Sequence, residues 1–85
     1  MNPFAVYWLP DAEDALAQVW LQAPDPQAVT VASAQVDRLL ARDPLGCGQH
    51  LQEGLYKLVV PPLAVFYSVD ETEHKVEVHQ LWWSP

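Results

Sequence analysis

The sequence predicts an α+β domain in which an antiparallel sheet is covered on one face by a hairpin of two helices. The last third of the chain contains three apolar runs of strand length, separated by a Pro-Pro pair and by a polar stretch. In the middle run, Leu63, Val65 and Tyr67 alternate with Ala64 and Phe66, the period-two pattern of a strand with two faces. Upstream, apolar residues recur at helical spacing in two separate segments.

The predicted elements follow in the order β-α-α-β-β-β. A first strand from Pro3 to Leu9 ends at Pro10, a residue that suits the first turn of a helix. The first helix then extends from about Asp11 to Gln22. A second helix begins after Asp25-Pro26, a favourable N-cap residue followed by proline, and ends near Arg42. Two helices joined by so short a turn form an antiparallel hairpin.

The second helix is followed by a polar connection from residue 43 to 53 and then by the three apolar runs. Strands this close in sequence pair most simply as an antiparallel meander. No internal repeat or composition shift divides the chain, so we expect a single domain over residues 1–85. The residues predicted to join helices and sheet in the core are Leu16, Trp20, Val36, Leu40, Leu58, Val65 and Tyr67.

Composition limits the possible environments of the protein. Cys47 is the only cysteine, which excludes an internal disulfide and fits a reducing cytoplasm. No run of roughly 18 apolar residues is available to span a membrane, and the N-terminus lacks a basic region followed by an apolar one. We therefore expect a soluble cytoplasmic protein that does not contact a membrane.

The charge balance argues against binding to nucleic acid. Only Arg38, Arg42, Lys57 and Lys75 are basic, against eleven acidic residues, and the formal net charge is −7. Nucleic-acid binding depends on clustered Lys and Arg that neutralise phosphates. An acidic chain with so few cations repels a polyanion, so its partner is expected to be a protein.

Several other features have simple structural interpretations. His50, His74 and His79 fall in a connection, a turn and a strand, and they lack the spacing of metal ligands. Cys47 lies between two glycines without an identifiable base, which is typical of an ordinary free thiol. We therefore predict no metal site, no cofactor and no nucleophilic catalysis.

The ordered pieces of the chain resemble a known family. Leu9–Leu16 is similar to a "P-x-A-x-x-x-L" helix start, and Leu39-Leu40 with Asp43-Pro44 closes the second helix. Gly54–Leu58 and Val65–Asp70 are similar to "G-x-(Y/R)-x-(L/V)" and "R-V-x-Y-x-V-D" strands. Together they resemble the RelE/ParE superfamily, the toxins of bacterial type II toxin–antitoxin and plasmid-stabilisation modules. The resemblance covers nearly the whole chain.

The ribonuclease branch of this superfamily implies a cluster of basic residues on the open face of the sheet and a C-terminal tyrosine. Only Lys57 falls on one of the family's basic positions. Val59 occupies the neighbouring basic position, and Ala64 stands where the next strand usually carries arginine. The sequence ends at Ser84-Pro85, before the C-terminal arginine and tyrosine would be expected. We therefore predict no catalytic residues, while ribosome-dependent mRNA cleavage remains the alternative.

The ParE branch acts by binding DNA gyrase, and it does not need the basic cluster. The resemblance therefore favours a toxin that works by protein binding, with an antitoxin as its partner and a homodimer as a further possibility. A non-toxic interaction module is the third interpretation. Adjacent residues of a strand face opposite sides of the sheet, so the pair Trp82-Trp83 either packs under the chain end or contributes to an interface. The predicted binding surface consists of Lys57, Val59, Ala64, Phe66, Trp82 and Trp83.

Overall fold

The computed structural model describes residues 2–85, which form two helices and five strands. The predicted α+β class, with a helical hairpin on one face of a sheet, is confirmed. None of the helices in this part of the chain is long and apolar enough to cross a membrane. The elements are β1 (Ala5–Trp8), α1 (Pro10–Gln22), α2 (Pro26–Arg42), β2 (Gln49–Gln52), β3 (Leu55–Val60), β4 (Leu63–Asp70) and β5 (Lys75–Trp83).

The sheet is mixed, which corrects the prediction of a purely antiparallel one. Its strand order is β1-β5-β4-β3-β2. Strands β3, β4 and β5 form the predicted antiparallel meander. Strand β1, however, runs parallel to β5, with Val6 beside Val76 and Trp8 beside Val78. The helical hairpin separates β1 from the other strands along the chain, so local sequence patterns do not determine which strand it joins.

Strand β2 is an element that the sequence analysis missed. Its residues, Gln49 to Gln52, are all exposed, so they show no alternation between buried and exposed positions. The strand instead depends on backbone pairing with β3, in which Gln49 lies opposite Lys57. Gly54 adopts a φ of 78° in the connecting turn, a conformation that glycine reaches without steric cost.

The core lies between the helical hairpin and one face of the sheet. Helix α2 buries an apolar stripe at helical spacing, consisting of Val29, Ala32, Val36 and Leu40. The stripe faces buried side chains of the three meander strands. These are Leu58, Val60, Leu63, Val65, Tyr67, Val76, Val78 and Leu81.

Helix α1 is less deeply buried than the sequence pattern predicts. Ala12 is fully buried, whereas Leu16 and Val19 are partly buried against the core. The predicted inward position of Trp20 is wrong, because 45% of its surface is exposed. Trp20 lies at the flank of the apolar stripe, where its indole Nε1–H donates a hydrogen bond to Thr30 Oγ1 on α2 at 3.2 Å. A polar partner at the helix–helix contact thus holds the ring at the surface.

Tyr67 connects the sheet to the segment that follows α2. Its side chain is fully buried, and its hydroxyl donates a 2.6 Å hydrogen bond to the carbonyl oxygen of Pro44. Burial raises the pKa of the Tyr67 hydroxyl well above its usual value, so the group remains a neutral donor. Gly48 packs so closely against this hydroxyl that a Cβ at position 48 would collide with it. This contact fixes the path of the chain into β2.

Candidate functional site

The face of the sheet opposite the helices carries the predicted binding surface. Strand pairing aligns its side chains in rows that cross the sheet. One row consists of Val59, Ala64 and Trp82 on β3, β4 and β5. The next row consists of Gln49, Lys57, Phe66 and Gln80, and a third of Ser68, Glu77 and Tyr7. We call this surface the open face.

Four residues of the open face form what we call the apolar patch: Val59, Ala64, Phe66 and Trp82. Val59 and Trp82 are 46% and 49% exposed. The rings of Phe66 and Trp82 contact each other diagonally across the strands, with centroids 4.3 Å apart. Ala64 is only 2% exposed, because its small side chain lies between the larger Val59 and Trp82. The sequence predicted Ala64 as part of the binding surface. In the structure it is buried beneath the patch and is not an exposed contact residue.

Trp83 does not share the open face with Trp82. It pairs with Leu63, whose side chain belongs to the buried face of β4. Trp83 lies beside the turn between α1 and α2, where it lines a shallow cavity with Val19 and Pro24. The alternation argument is thus correct for the pair, and it separates the two tryptophans onto opposite sides of the sheet. Trp83 is therefore not on the open face with the other residues of the predicted binding surface.

The open face has no cluster of cations. Lys57 lies at its centre, opposite Phe66. The only other lysine of the chain, Lys75, lies at the far end of the sheet, opposite the carboxylate-bearing Asp70. The positions between them carry Ser68 and Glu77, which add no positive charge. Stabilising the charge that develops on a phosphate during cleavage usually takes several converging donors or cations.

One pair of reactive groups does occur on the open face. Ser68 Oγ and His79 Nε2 are 2.7 Å apart, within hydrogen-bonding distance. His79 is the extra residue at the register shift between β4 and β5, and Ser68 lies just beyond that shift, paired with Glu77. The pair is exposed to solvent. Acyl or phosphoryl transfer by a hydroxyl–imidazole pair also requires donors for the developing negative charge and exclusion of water.

Cys47 is partly buried and packs against the edge of the core. Its Sγ is 3.9 Å from the Tyr67 hydroxyl oxygen. Burial raises the pKa of the Cys47 thiol, and the negative charge of Asp43 raises it further, although the contact with Tyr67 lowers it. The thiolate is therefore disfavoured at neutral pH, and the residue is a poor nucleophile or metal ligand. Within residues 2–85, no group of three or more His, Cys, Asp or Glu side chains could hold a metal ion.

Beyond the apolar patch, the outer edge of β5 is unpaired over part of its length. Strand β1 pairs only with Lys75 to Val78 of β5. The backbone N–H of Leu81, further along β5, donates a hydrogen bond to the side-chain oxygen Oε1 of the adjacent Gln80 at 3.1 Å. Edge strands of this kind can accept an additional strand from another chain.

Sequence reasoning also missed a groove between α1 and α2, on the side of the molecule away from the open face. Trp20 lines this groove together with Leu21. The signal in the sequence was weak, because Trp20 fits the apolar stripe of α1 equally well. Leu21 lies outside that stripe. A leucine at such a position is the sequence feature that indicates a second apolar surface on α1.

Comparison with known proteins identifies the fold. No protein-family model matches the sequence, and no curated protein matches it. The structure is similar to a chain of the toxin–antitoxin complex RelBE2 from Mycobacterium tuberculosis, with a TM-score of 0.81, 19% identity and coverage of 98% of this chain and 93% of that chain. It is also similar to a chain of the chromosomal ParDE TA system from P. aeruginosa, with a TM-score of 0.76, 16% identity and full coverage of both chains (100% and 100%).

A third similar structure is the YoeB dimer from Staphylococcus aureus, with a TM-score of 0.56, 13% identity and coverage of 95% of this chain and 97% of that chain. The chain thus has the RelE/ParE-like toxin fold over nearly its whole length, and the resemblance seen in the sequence motifs is confirmed at the level of the fold. At these identities the likeness establishes architecture alone, so activity has to be argued from the surface described above.

Proposed function

We propose that the protein is the toxin component of a type II toxin–antitoxin module and acts by binding proteins, without cleaving RNA. The observation that carries the proposal is the row of Val59, Ala64 and Trp82 across the open face. The resemblance to the ribonuclease branch puts cations at the positions of Val59 and Ala64. Here those positions form, with Phe66, a contiguous apolar patch, and exposed patches of this kind usually mark contact sites.

The first partner is a cognate antitoxin, which the module expresses together with the toxin in the cytoplasm. RelBE2 and ParDE are toxin–antitoxin systems by name, and this supports an antitoxin as the occupant of the patch. The exposed indole of Trp82 is the expected anchor, because tryptophan is enriched at binding hot spots. The unpaired edge of β5 beside it offers backbone groups to an extended segment of the same partner. A second copy of the chain is the competing occupant.

Co-purification with the small protein encoded beside this gene tests the proposal. We expect Trp82→Ser and Phe66→Asp to reduce the recovered complex, since both remove apolar contact area from the patch. Tyr7→Ser is the matched control, because Tyr7 is 53% exposed on the same face but lies outside the patch. Equal losses in Trp82→Ser and Tyr7→Ser would show that the patch is not the binding site. Sedimentation of the chain alone distinguishes self-association from antitoxin binding.

A further inference from the structure

A cavity of about 550 Å³ lies where the N-terminal segment passes the end of α2. Its walls come from three parts of the chain: residues 2–4, the segment from Ala41 to Leu45, and His74 in the turn between β4 and β5. We call it the N-terminal cavity. It shares no lining residue with the apolar patch or with the groove between α1 and α2. Its volume is in the range that accommodates a small organic molecule.

The wall that the N-terminal segment forms is held by four contacts. The backbone N–H of Phe4 donates to the carbonyl oxygen of Ala41 at 2.8 Å, and the N–H of Ala5 donates to that of His74 at 3.1 Å. The Phe4 ring stacks on the His74 imidazole, with centroids 3.8 Å apart and planes inclined by 21°. His74 Nε2 donates to the carbonyl oxygen of Asn2 at 2.7 Å. The cavity is therefore formed before any ligand enters, which lowers the ordering cost of binding.

More than half of the residues that line the N-terminal cavity are apolar. Leu45 is 41% exposed, so binding of a ligand can still remove its apolar surface from water. Phe4 is half-buried and presents an aromatic ring held by its stack on His74. The other apolar lining residues are Pro3, Ala41 and Pro44. Such a lining favours a ligand with a hydrocarbon or aromatic body.

Arg42 gives the N-terminal cavity a permanent positive charge. It is exposed in the last turn of α2. The carboxylate in the lining, that of Asp43, packs against Gly46 and accepts its backbone N–H at 3.1 Å, so it belongs to the turn after α2. Two carbonyl oxygens at the end of α2, those of Leu39 and Ala41, also accept backbone hydrogen bonds. Arg42 is therefore the group of the lining that favours an anionic ligand.

We propose that the N-terminal cavity binds a small aromatic carboxylate, with its carboxylate on Arg42 and its ring against Phe4 and Leu45. A guanidinium and a carboxylate pair through two parallel N–H···O hydrogen bonds. One arginine matches the single charge of a carboxylate, whereas a phosphate dianion is better matched by several cations. The ring of the ligand adds apolar burial and an aromatic contact with Phe4. This site does not depend on the proposed function as a toxin.

Phenylacetate is a suitable probe, because it joins one carboxylate to one aromatic ring. Phenylacetamide is the matched neutral compound, and acetate is the matched anion without a ring. Amide chemical shifts of the isotope-labelled chain, followed during each titration, give Kd and locate the binding site. The chain is used alone, so the result is independent of any antitoxin or target.

We expect phenylacetate to bind with a Kd of about 1 mM, in line with a ligand of about ten non-hydrogen atoms. Amides of Phe4, Ala41 and His74 should shift. Phenylacetamide and acetate should each bind about tenfold more weakly or less, since each lacks one of the two contacts. Added salt should weaken the binding of phenylacetate, because the ion pair is exposed to screening.

Two pairs of variants test the assigned contacts. Arg42→Gln should raise the Kd of phenylacetate about tenfold through loss of charge-assisted hydrogen bonds. Its control is Arg38→Gln, because Arg38 is exposed on the same helix outside the cavity lining and its loss changes the net charge equally. Leu45→Ser should raise Kd severalfold. Leu51→Ser should not, although Leu51 on β2 is exposed to the same extent (42%).

Several outcomes would overturn the inference. These are no binding of phenylacetate at millimolar concentration, equal binding of phenylacetamide, equal effects within either pair of variants, or chemical-shift changes confined to the open face or the groove. Tighter binding of a peptide that ends in phenylalanine would also overturn it, because the cavity would then bind the C-terminus of a protein. The amide spectrum of each variant shows whether it remains folded.

Discussion

At the residue scale, the hydroxyl of Tyr67 is held between the carbonyl oxygen of Pro44, to which it donates, and the closely packed backbone of Gly48. The alternation of β4 predicts that the ring faces the helices, and the structure confirms this. The pattern could not predict the partner of the hydroxyl, the carbonyl oxygen of Pro44, because that contact joins residues far apart in the sequence. Buried polar groups need such partners, and here the requirement fixes the segment between α2 and β2.

This contact leads to a stability prediction. Tyr67→Phe keeps the ring but leaves the carbonyl of Pro44 without its buried donor, which should lower the free energy of unfolding by about 1–3 kcal/mol. Urea denaturation followed by circular dichroism measures the change. Tyr56→Phe is the control, because the Tyr56 ring stacks on Tyr67 at a centroid distance of 5.4 Å and stays partly exposed. Equal stability of Tyr67→Phe and wild type would mean that water replaces the lost donor.

At the element scale, the two helices differ in how well their sequences predict their burial. The stripe of α2 is buried as predicted, since its valine, alanine and leucine residues have no competing polar contact. In α1, the position of Trp20 depends on whether its indole reaches Thr30 on the other helix, and helical periodicity carries no information about that distance. Strand β2 was missed for a related reason, because its four exposed residues have no apolar face.

The difference between the helices can be measured. Leu40 is fully buried, so Leu40→Ala should lower the free energy of unfolding by about 2–5 kcal/mol. Trp20→Ala should cost only about 1 kcal/mol, because the ring is 45% exposed and loses one hydrogen bond at the surface. Urea midpoints of the two variants give the comparison. A larger loss for Trp20→Ala than for Leu40→Ala would contradict the assignment of the helix faces.

At the scale of the whole molecule, the sequence predicted the class and the meander but left three long-range features open. Charge and strand alternation predicted an open face without a basic cluster, and the register of β3, β4 and β5 places Val59, Ala64 and Trp82 in one row. The parallel pairing of β1, the packing of Trp83 beside the turn between α1 and α2, and the groove beside Trp20 depend on how distant elements pack. The spacing of apolar residues within one segment does not determine how that segment packs against distant ones.

The charge distribution predicts the absence of RNA cleavage. The two lysines lie at separate places on the open face, and Lys75 lies opposite Asp70, so we expect them not to converge on one phosphate. Primer extension on translated mRNA after induction of the protein should show no new cuts. Codon-positioned cuts that disappear in Lys57→Ala would refute this expectation. Growth inhibition without cuts would agree with a toxin that acts by binding.

Calorimetric titration of the purified chain with the small protein encoded beside its gene tests the central claim most directly. We expect a complex in which Trp82→Ser weakens binding about tenfold or more, while Tyr7→Ser leaves it unchanged. The difference between wild type and Trp82→Ser should remain constant as salt increases, because apolar burial is not screened. Two results would contradict binding through the apolar patch. One is no detectable binding of the two proteins at micromolar concentration, and the other is a difference in Kd between wild type and Trp82→Ser that disappears at high salt.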